Sequence, residues 1–226
     1  MRGHMAGVYR AWVEGAREEP RMSTRPYLFL DVDGILHGTY MKYGFERNHT
    51  VVQKLPIDEV HPSMRPRRQD RGELPDWVAR RRGIPTHVTF RTPVRTSPRL
   101  REDLAALDLD VLMLTSWLEF DSVDWFFSET GGTPFPYRKL THPARDFDDP
   151  VGAIPARWKV DELIRTVDAD PRPFIWADDD EVPLWRDELN ARYPDIPKLL
   201  IAPVYDVGLT RDHVTRMREF VTAHGG

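Results

Sequence analysis

The sequence predicts an α/β fold in which a parallel, Rossmann-like sheet carries helices on both faces. Three observations lead there. Four short stretches, Tyr27-Leu28-Phe29-Leu30, Val111-Leu112-Met113-Leu114, Pro173-Phe174-Ile175-Trp176-Ala177 and Leu199-Leu200-Ile201, are continuously apolar and too short for helices. Such runs mark strands buried on both sides. Between them lie segments of helical period, the clearest carrying Val160, Leu163, Ile164 and Val167 at i, i+3, i+4 and i+7. Finally, 226 residues with 40% hydrophobic content suit one compact unit with a real core.

The elements follow in order. Residues 1–25 carry scattered charges, with a short helix expected over Val8–Glu19, and read as an appendage without chemistry. Met22, just before Ser23-Thr24-Arg25-Pro26 and the first strand, suits a natural start. Residues 26–226 then form the main domain. From about 38 to 97 the pattern is broken by prolines 56, 62, 66, 75, 85 and 93, and only Thr50–Leu55 and Thr86–Phe90 read as strand pieces. This is a Pro- and Arg-rich insert. Ser97-Pro98 opens a helix to about Leu107, because proline in the first turn loses no hydrogen bond. A helix is expected over Ser122–Ser128, followed by a Gly131-Gly132 break and a Pro-rich loop. Further helices are expected from about Ala156, from near Pro183 to Asn190, and from a Thr210 cap through Val214, Met217 and Val221.

Composition excludes several kinds of chemistry. There are no cysteines, so disulfides, thiolate metal sites and cysteine nucleophiles are ruled out, and a cytoplasmic home is expected. No apolar run approaches the roughly 18 residues a bilayer span needs, so no membrane partner is expected. The net charge of −4 is unevenly spread: residues 41–100 hold 13 Lys/Arg against 6 Asp/Glu. A basic segment beside an acidic body suits an anionic substrate next to a cation site. Only 5 of the 32 basic residues are Lys, however, and codon composition explains that bias equally well.

In a parallel sheet the reactive groups lie just past the carboxyl ends of the strands. Strand one ends in Asp31 and Asp33, strand two in Thr115 and Ser116, and strand three in Asp178 and Asp179, while Lys159 opens a helix between the last two. Phosphate-ester hydrolysis asks for such a set. A carboxylate nucleophile forms an acyl phosphate, hard oxygen ligands hold Mg²⁺, a lysine and a hydroxyl receive phosphate oxygens, and a second acid moves the proton. Gly34 lets the chain turn behind the first pair.

Asp31-Val32-Asp33-Gly34, the apolar strand ending in Thr115, Lys159 and the Asp178-Asp179 pair resemble, in order, the four motifs of the haloacid dehalogenase (HAD) superfamily over about residues 27–205. The resemblance implies Asp31 as nucleophile and Asp33 as acid/base, with the Asp33 backbone carbonyl also on Mg²⁺. It implies Thr115, with Ser116 as fallback, and Lys159 as phosphate-side groups. The metal ligands would be Asp31, Asp33, Asp178 and Asp179. Asp33 points to phosphate rather than halide chemistry, since dehalogenases of the superfamily lack it. The strings Leu114-Thr115-Ser116-Trp117 and Trp176-Ala177-Asp178-Asp179-Asp180 also resemble a little-characterised bacterial and phage branch, some members of which are associated with RNA repair. The implied activity is an Mg²⁺-dependent phosphomonoesterase acting on a phosphorylated small molecule or a nucleic-acid end, with the insert in the place of a cap. The insert's proline content departs from a well-formed cap.

Other readings stand beside these. The chain could be a HAD-fold module that binds nucleic acid or protein through its basic insert. Thr115 and Ser116 could cap the following segment. Asp180 and Glu181 read as cap and dipole partners of the next helix. Trp117, Trp125 and Trp176 could stack on a base but read first as core residues, and His37, His49, His61 and His87 read as loop or satisfied histidines. Arg80-Arg81-Arg82 is either a phosphate contact or a solvated run. Oligomeric state is open.

Overall fold

The computed structural model describes residues 24–56, 87–132, 135–143 and 157–225. The expected Val8–Glu19 helix, Met22 and Arg80-Arg81-Arg82 lie outside them. The elements are strands β1 (Tyr27–Leu30), β2 (Arg47–Pro56) and β3 (His87–Thr96), helix α1 (Pro98–Ala105), strand β4 (Asp110–Met113), a 3₁₀ helix (Ser116–Asp121), helix α2 (Ser122–Glu129), strand β5 (Tyr137–Lys139), helix α3 (Trp158–Ala169), strand β6 (Phe174–Ala177), helix α4 (Glu181–Arg192), strand β7 (Lys198–Ile201) and helix α5 (Arg211–His224).

Five strands form one parallel sheet in the order β5-β4-β1-β6-β7. With β1 at the centre, the chain builds outward first through β4 and β5 and then, on the other side, through β6 and β7. The order therefore reverses at β1, the place where open α/β sheets leave a crevice at their carboxyl ends. This is a Rossmann-like α/β architecture.

Alternation along β1 explains why its apolar run is continuous. Leu28 and Leu30 enter one core cluster, with Leu100 and Leu104 of α1, Phe126 and Phe127 of α2, and Val214 and Met217 of α5. Tyr27 and Phe29 enter the other, with Val160, Leu163 and Val167 of α3 and Val182 and Leu189 of α4. Helices cover both faces, and every β1 side chain is buried. Burying a Leu, Val or Phe fully contributes roughly 1.5–3 kcal/mol, so the sheet needs both helical layers.

The remaining pair, β2 and β3, forms a separate antiparallel ribbon from Arg47↔Thr96 to Pro56↔His87. It corrects the expected strand pieces, which were both too short. Pro93 sits inside β3 opposite Thr50. It is tolerated because each strand of a two-stranded ribbon has a free edge where a missing N–H costs nothing. Two further corrections concern ends. The expected Pro-rich loop contains β5, and α4 begins at Glu181, so that Pro183 occupies its first turn. Ser97 caps α1 as its sequence suggests: its Oγ accepts from Leu100 N at 3.2 Å and donates to Gly44 O at 2.5 Å. No helix among the described residues is long and apolar enough to cross a membrane.

Candidate active site

The strand register places the reactive groups. Leu30 pairs with Ala177, and the chains stay bonded as they leave the sheet, Asp31 N donating to Ala177 O at 3.1 Å and Asp178 N to Ile201 O at 3.1 Å. Asp31 and Asp178 thus emerge side by side at the crevice. Lys159, second residue of α3, reaches into it from the helical layer. Its Nζ donates to Asp31 Oδ2 at 2.6 Å and to Asp178 Oδ2 at 2.8 Å. All three are buried, Lys159 at 8% exposure, Asp31 at 5% and Asp178 at 0%. Taking such charges out of water is expensive unless each finds a partner, and here one ammonium serves two carboxylates. Burial disfavours the ammonium, but the Asp31 and Asp178 charges outweigh it and hold Lys159 protonated.

The other carboxylate oxygens are anchored to backbone. Val32 N donates to Asp31 Oδ1 at 2.6 Å. Asp178 Oδ1 accepts from Asp180 N at 3.2 Å and Glu181 N at 2.9 Å. Asp180 does occupy the N-cap position of α4 and Glu181 its first turn, as expected, but Asp180 makes no side-chain cap bond, and Asp178 satisfies the opening N–H groups instead. One carboxylate is therefore tied to a helix end and to Lys159 at once.

Asp179 completes the cluster. Oxygens of Asp31, Asp178 and Asp179 lie within 4.8 Å of one another. Gly34 makes room for the third: its φ is +60°, and a Cβ there would lie 2.5 Å from Asp179 Cγ. Three carboxylates against one ammonium leave two negative charges, which a hard, oxygen-seeking divalent cation would balance. The residues present therefore fit a metal ion, and their all-oxygen donor set suits Mg²⁺. Burial, and then the Asp31 charge, push the Asp178 carboxyl well above the usual range despite Lys159. Burial and then the Asp180 and Asp31 charges push Asp179 up to about 6.

These shifts set a pH dependence. A cation must displace the protons that the raised carboxyls hold, so the Mg²⁺-induced rise in Tm should be small at pH 5.5 and grow from pH 6 to 8. His49 and His213, whose pKa values burial lowers, stabilise with the opposite sign as pH rises. They cancel in the difference between scans with and without Mg²⁺. A Tm rise equal at pH 5.5 and 8, measured by calorimetry, would contradict this cluster as the cation site.

Asp33 stands apart from the three clustered carboxylates. Its Oδ1 meets His37 Nε2 at 2.5 Å. Burial alone would raise its pKa. The His37 hydrogen bond and charge, the nearby Trp117 side chain and the more distant Lys159 outweigh burial and lower it. Thr115 follows β4 beside the site and is fully buried, and its Oγ1 accepts from Trp117 N at 3.3 Å. The capping reading of Thr115 is thus realised, and the bond leaves its O–H proton unused. Ser116 is exposed at the start of the 3₁₀ helix.

A cavity of ≈680 Å³ opens beside Asp33, lined by His37, Asn48, His49, Arg95, Trp117 and Tyr205 among others. His37 was set aside in sequence as a loop histidine. Its only signal was a spacing of four from Asp33, which means little outside a helix. Trp117 was read as core but is only half-buried and lines this cavity, whereas Trp176 is fully buried. Tyr205 had no sequence signal. No family model, curated protein or solved structure matches the chain.

Proposed function

We propose that this protein is an Mg²⁺-dependent phosphomonoesterase of the HAD type that works through a phospho-aspartate at Asp31. The observation that carries the reading is the bridge of Lys159 Nζ between Asp31 at 2.6 Å and Asp178 at 2.8 Å, with Asp179 closing the acid cluster. A lysine held this way lowers the negative potential that a phosphate would meet at a carboxylate nucleophile.

In the first step an Asp31 oxygen forms a bond to phosphorus while the bond from phosphorus to the ester oxygen breaks. Asp33 delivers a proton to the departing alkoxide. Asp33 is ionised in the free site; an arriving phosphate dianion raises its proton affinity, as any neighbouring like charge does, so that it takes up a proton from solvent as the ester binds. In the second step Asp33 takes a proton from water, the oxygen attacks the acyl phosphate, and inorganic phosphate leaves with Asp31 restored. Lys159 offsets the charge on Asp31 and the transferred group throughout, and the Thr115 O–H would donate to a phosphate oxygen. A magnesium ion held by Asp31, Asp178 and Asp179, with the Asp33 carbonyl, would supply the remaining charge neutralisation between carboxylate and phosphate. Segment 38–97, described over 38–56 and 87–97 and carrying the β2–β3 ribbon, is the insert that shapes the substrate's side of the site.

Phosphate release from a panel of phosphorylated metabolites, nucleotides and end-phosphorylated oligonucleotides is expected with Mg²⁺ and lost in EDTA. Release unaffected by EDTA, or none over the whole panel, would overturn the proposal.

A further inference from the structure

The cavity beside Asp33 is much larger than a phosphate group requires, and its lining is of a different character from the acid cluster. Asp33 stands at one wall. The ribbon contributes Asn48, His49 and Arg95, the 3₁₀ helix Trp117, and the segment between β7 and α5 Tyr205. We propose that this cavity takes the planar heteroaromatic base of a nucleoside monophosphate whose phosphate lies at Asp31. The placement of the phosphate rests on the phosphatase reading, whereas the recognition of the ring does not.

Size comes first. About 680 Å³ falls in the middle of the range for clefts that enclose one small organic ligand, so it accommodates a nucleoside and not merely a short acyl or triose chain. Ring chemistry comes second. Trp117 is held by its neighbours: its ring sits edge-on to His37 at 6.0 Å and to Phe126 at 5.4 Å, and His37 is itself bonded to Asp33 at 2.5 Å. Tyr205 is 53% exposed at the same cavity. Its segment is tied down where Asp206 O accepts from Tyr40 N at 2.6 Å, and Gly38 approaches so closely that a Cβ there would lie 2.7 Å from that oxygen. One aromatic is thus packed against His37, the partner of the acid, and a second lines the same cavity without full burial. A stacked base would recover the apolar area that Tyr205 leaves in water, a contact that aromatic side chains supply to any base.

The polar groups agree with this. The Asn48 amide offers both a donor and an acceptor, the pairing that the edge of a heteroaromatic base presents. Among the described lining residues Arg95 is the one Lys or Arg and Asp33 the one carboxylate. That described lining suits a largely neutral leaving group whose charge is confined to its phosphate.

Equilibrium binding to the Asp31→Asn protein tests the inference without turnover. Adenosine 5′- and 3′-monophosphate, ribose 5-phosphate and inorganic phosphate are titrated by calorimetry in Mg²⁺ buffer. The better-bound nucleotide is expected to bind roughly 10-fold or more tightly than ribose 5-phosphate, the range that one stacked base supplies. In the Tyr205→Ala variant that preference should fall toward unity, while Tyr205→Phe, which keeps the ring, should retain it. Asn48→Ala should also reduce it. Equal affinity for nucleotide and ribose 5-phosphate, or a preference untouched by both Tyr205→Ala and Asn48→Ala, would overturn the proposal. The two readings fail separately. A base preference with no ester turned over by the wild type would sink the phosphatase and leave the ring site standing. Turnover of phosphoesters with no base preference would do the reverse.

Discussion

Replacing Asp31 by Asn should reduce phosphate release by at least about 10³-fold, with the fold intact. The substitution keeps the shape of the side chain and removes the one property the proposed first step needs, a carboxylate oxygen able to bond to phosphorus. Loss of a nucleophile commonly costs several powers of ten, because the remaining groups cannot supply the covalent route. The structure gives a reason to expect folding to survive: Lys159 keeps Asp178 at 2.8 Å, and the Asn oxygen retains one of the two bonds that Asp31 accepts, from Val32 N or from Lys159 Nζ, at the loss of the other. The matching Tm, read by calorimetry, separates a chemical defect from an unfolded sample. Asp33→Asn supplies the contrast. It should slow turnover by about 10²–10⁴, the range of a lost acid/base, while still allowing slow transfer to Asp31. Brief reaction with a labelled phosphoester, followed by acid quench, should trap label on the Asp33→Asn protein and none on Asp31→Asn. An Asp31→Asn protein of wild-type activity would remove the covalent mechanism altogether.

How much of this could be read from the chain depended on what each segment is packed against. The strands β1, β4, β6 and β7 were legible because burial on both faces leaves no room for polar alternation. Tyr27 to Leu30 shows it most plainly, every residue being buried. β5 was not legible: it is three residues long and its Arg138 and Lys139 are exposed, whereas β7, at the other end of the sheet, buries Leu200 and Ile201. The ribbon was seen only in fragments. β2 buries just Val51 and Leu55, so its pattern over ten residues is thin, and Pro93 in β3 reads as a terminator although a ribbon edge accepts it.

In the site, the residues that directly follow a legible strand were found, because strand end and reactive group are the same signal. Asp31, Thr115 and Asp178 are of that kind. The run Asp178-Asp179-Asp180-Glu181 offers four similar acids, and nothing in it tells which one turns back to cap α4. That task falls to Asp178 because its Oδ1 lies over the first N–H groups of the helix. His37 and Tyr205 were beyond reach for a different reason. Each owes its place to long-range contacts, an isolated bridge from His37 to Thr96 and the Tyr40–Asp206 hydrogen bond, that no local pattern records.

The same long-range logic makes Lys159 the residue on which the site's stability turns. Lys159→Met retains the bulk of the stem and deletes the ammonium, leaving Asp31 and Asp178 buried beside each other without their shared cation. Stranding a buried charge in this way costs about 3–5 kcal/mol, which for a domain of this size lowers Tm by roughly 6–20 °C. The loss should depend on pH, and its sign follows from the carboxyls. Without the ammonium, burial and the Asp31 charge raise the folded-state proton affinity of Asp178 further above that of the unfolded chain. Stability contributed by such groups is present at low pH and is lost as pH rises through the raised folded value. The Tm gap between wild type and Lys159→Met should therefore be widest at pH 8 and narrow at pH 5.5, where a proton can sit between the two acids. Mg²⁺ should also narrow it at pH 8, because a cation at the acid cluster replaces part of the missing charge. A gap that is the same at both pH values and indifferent to Mg²⁺ would mean that Lys159 contributes only packing. The bridge between Asp31 and Asp178 would then carry neither the stability nor the charge balance assigned to it.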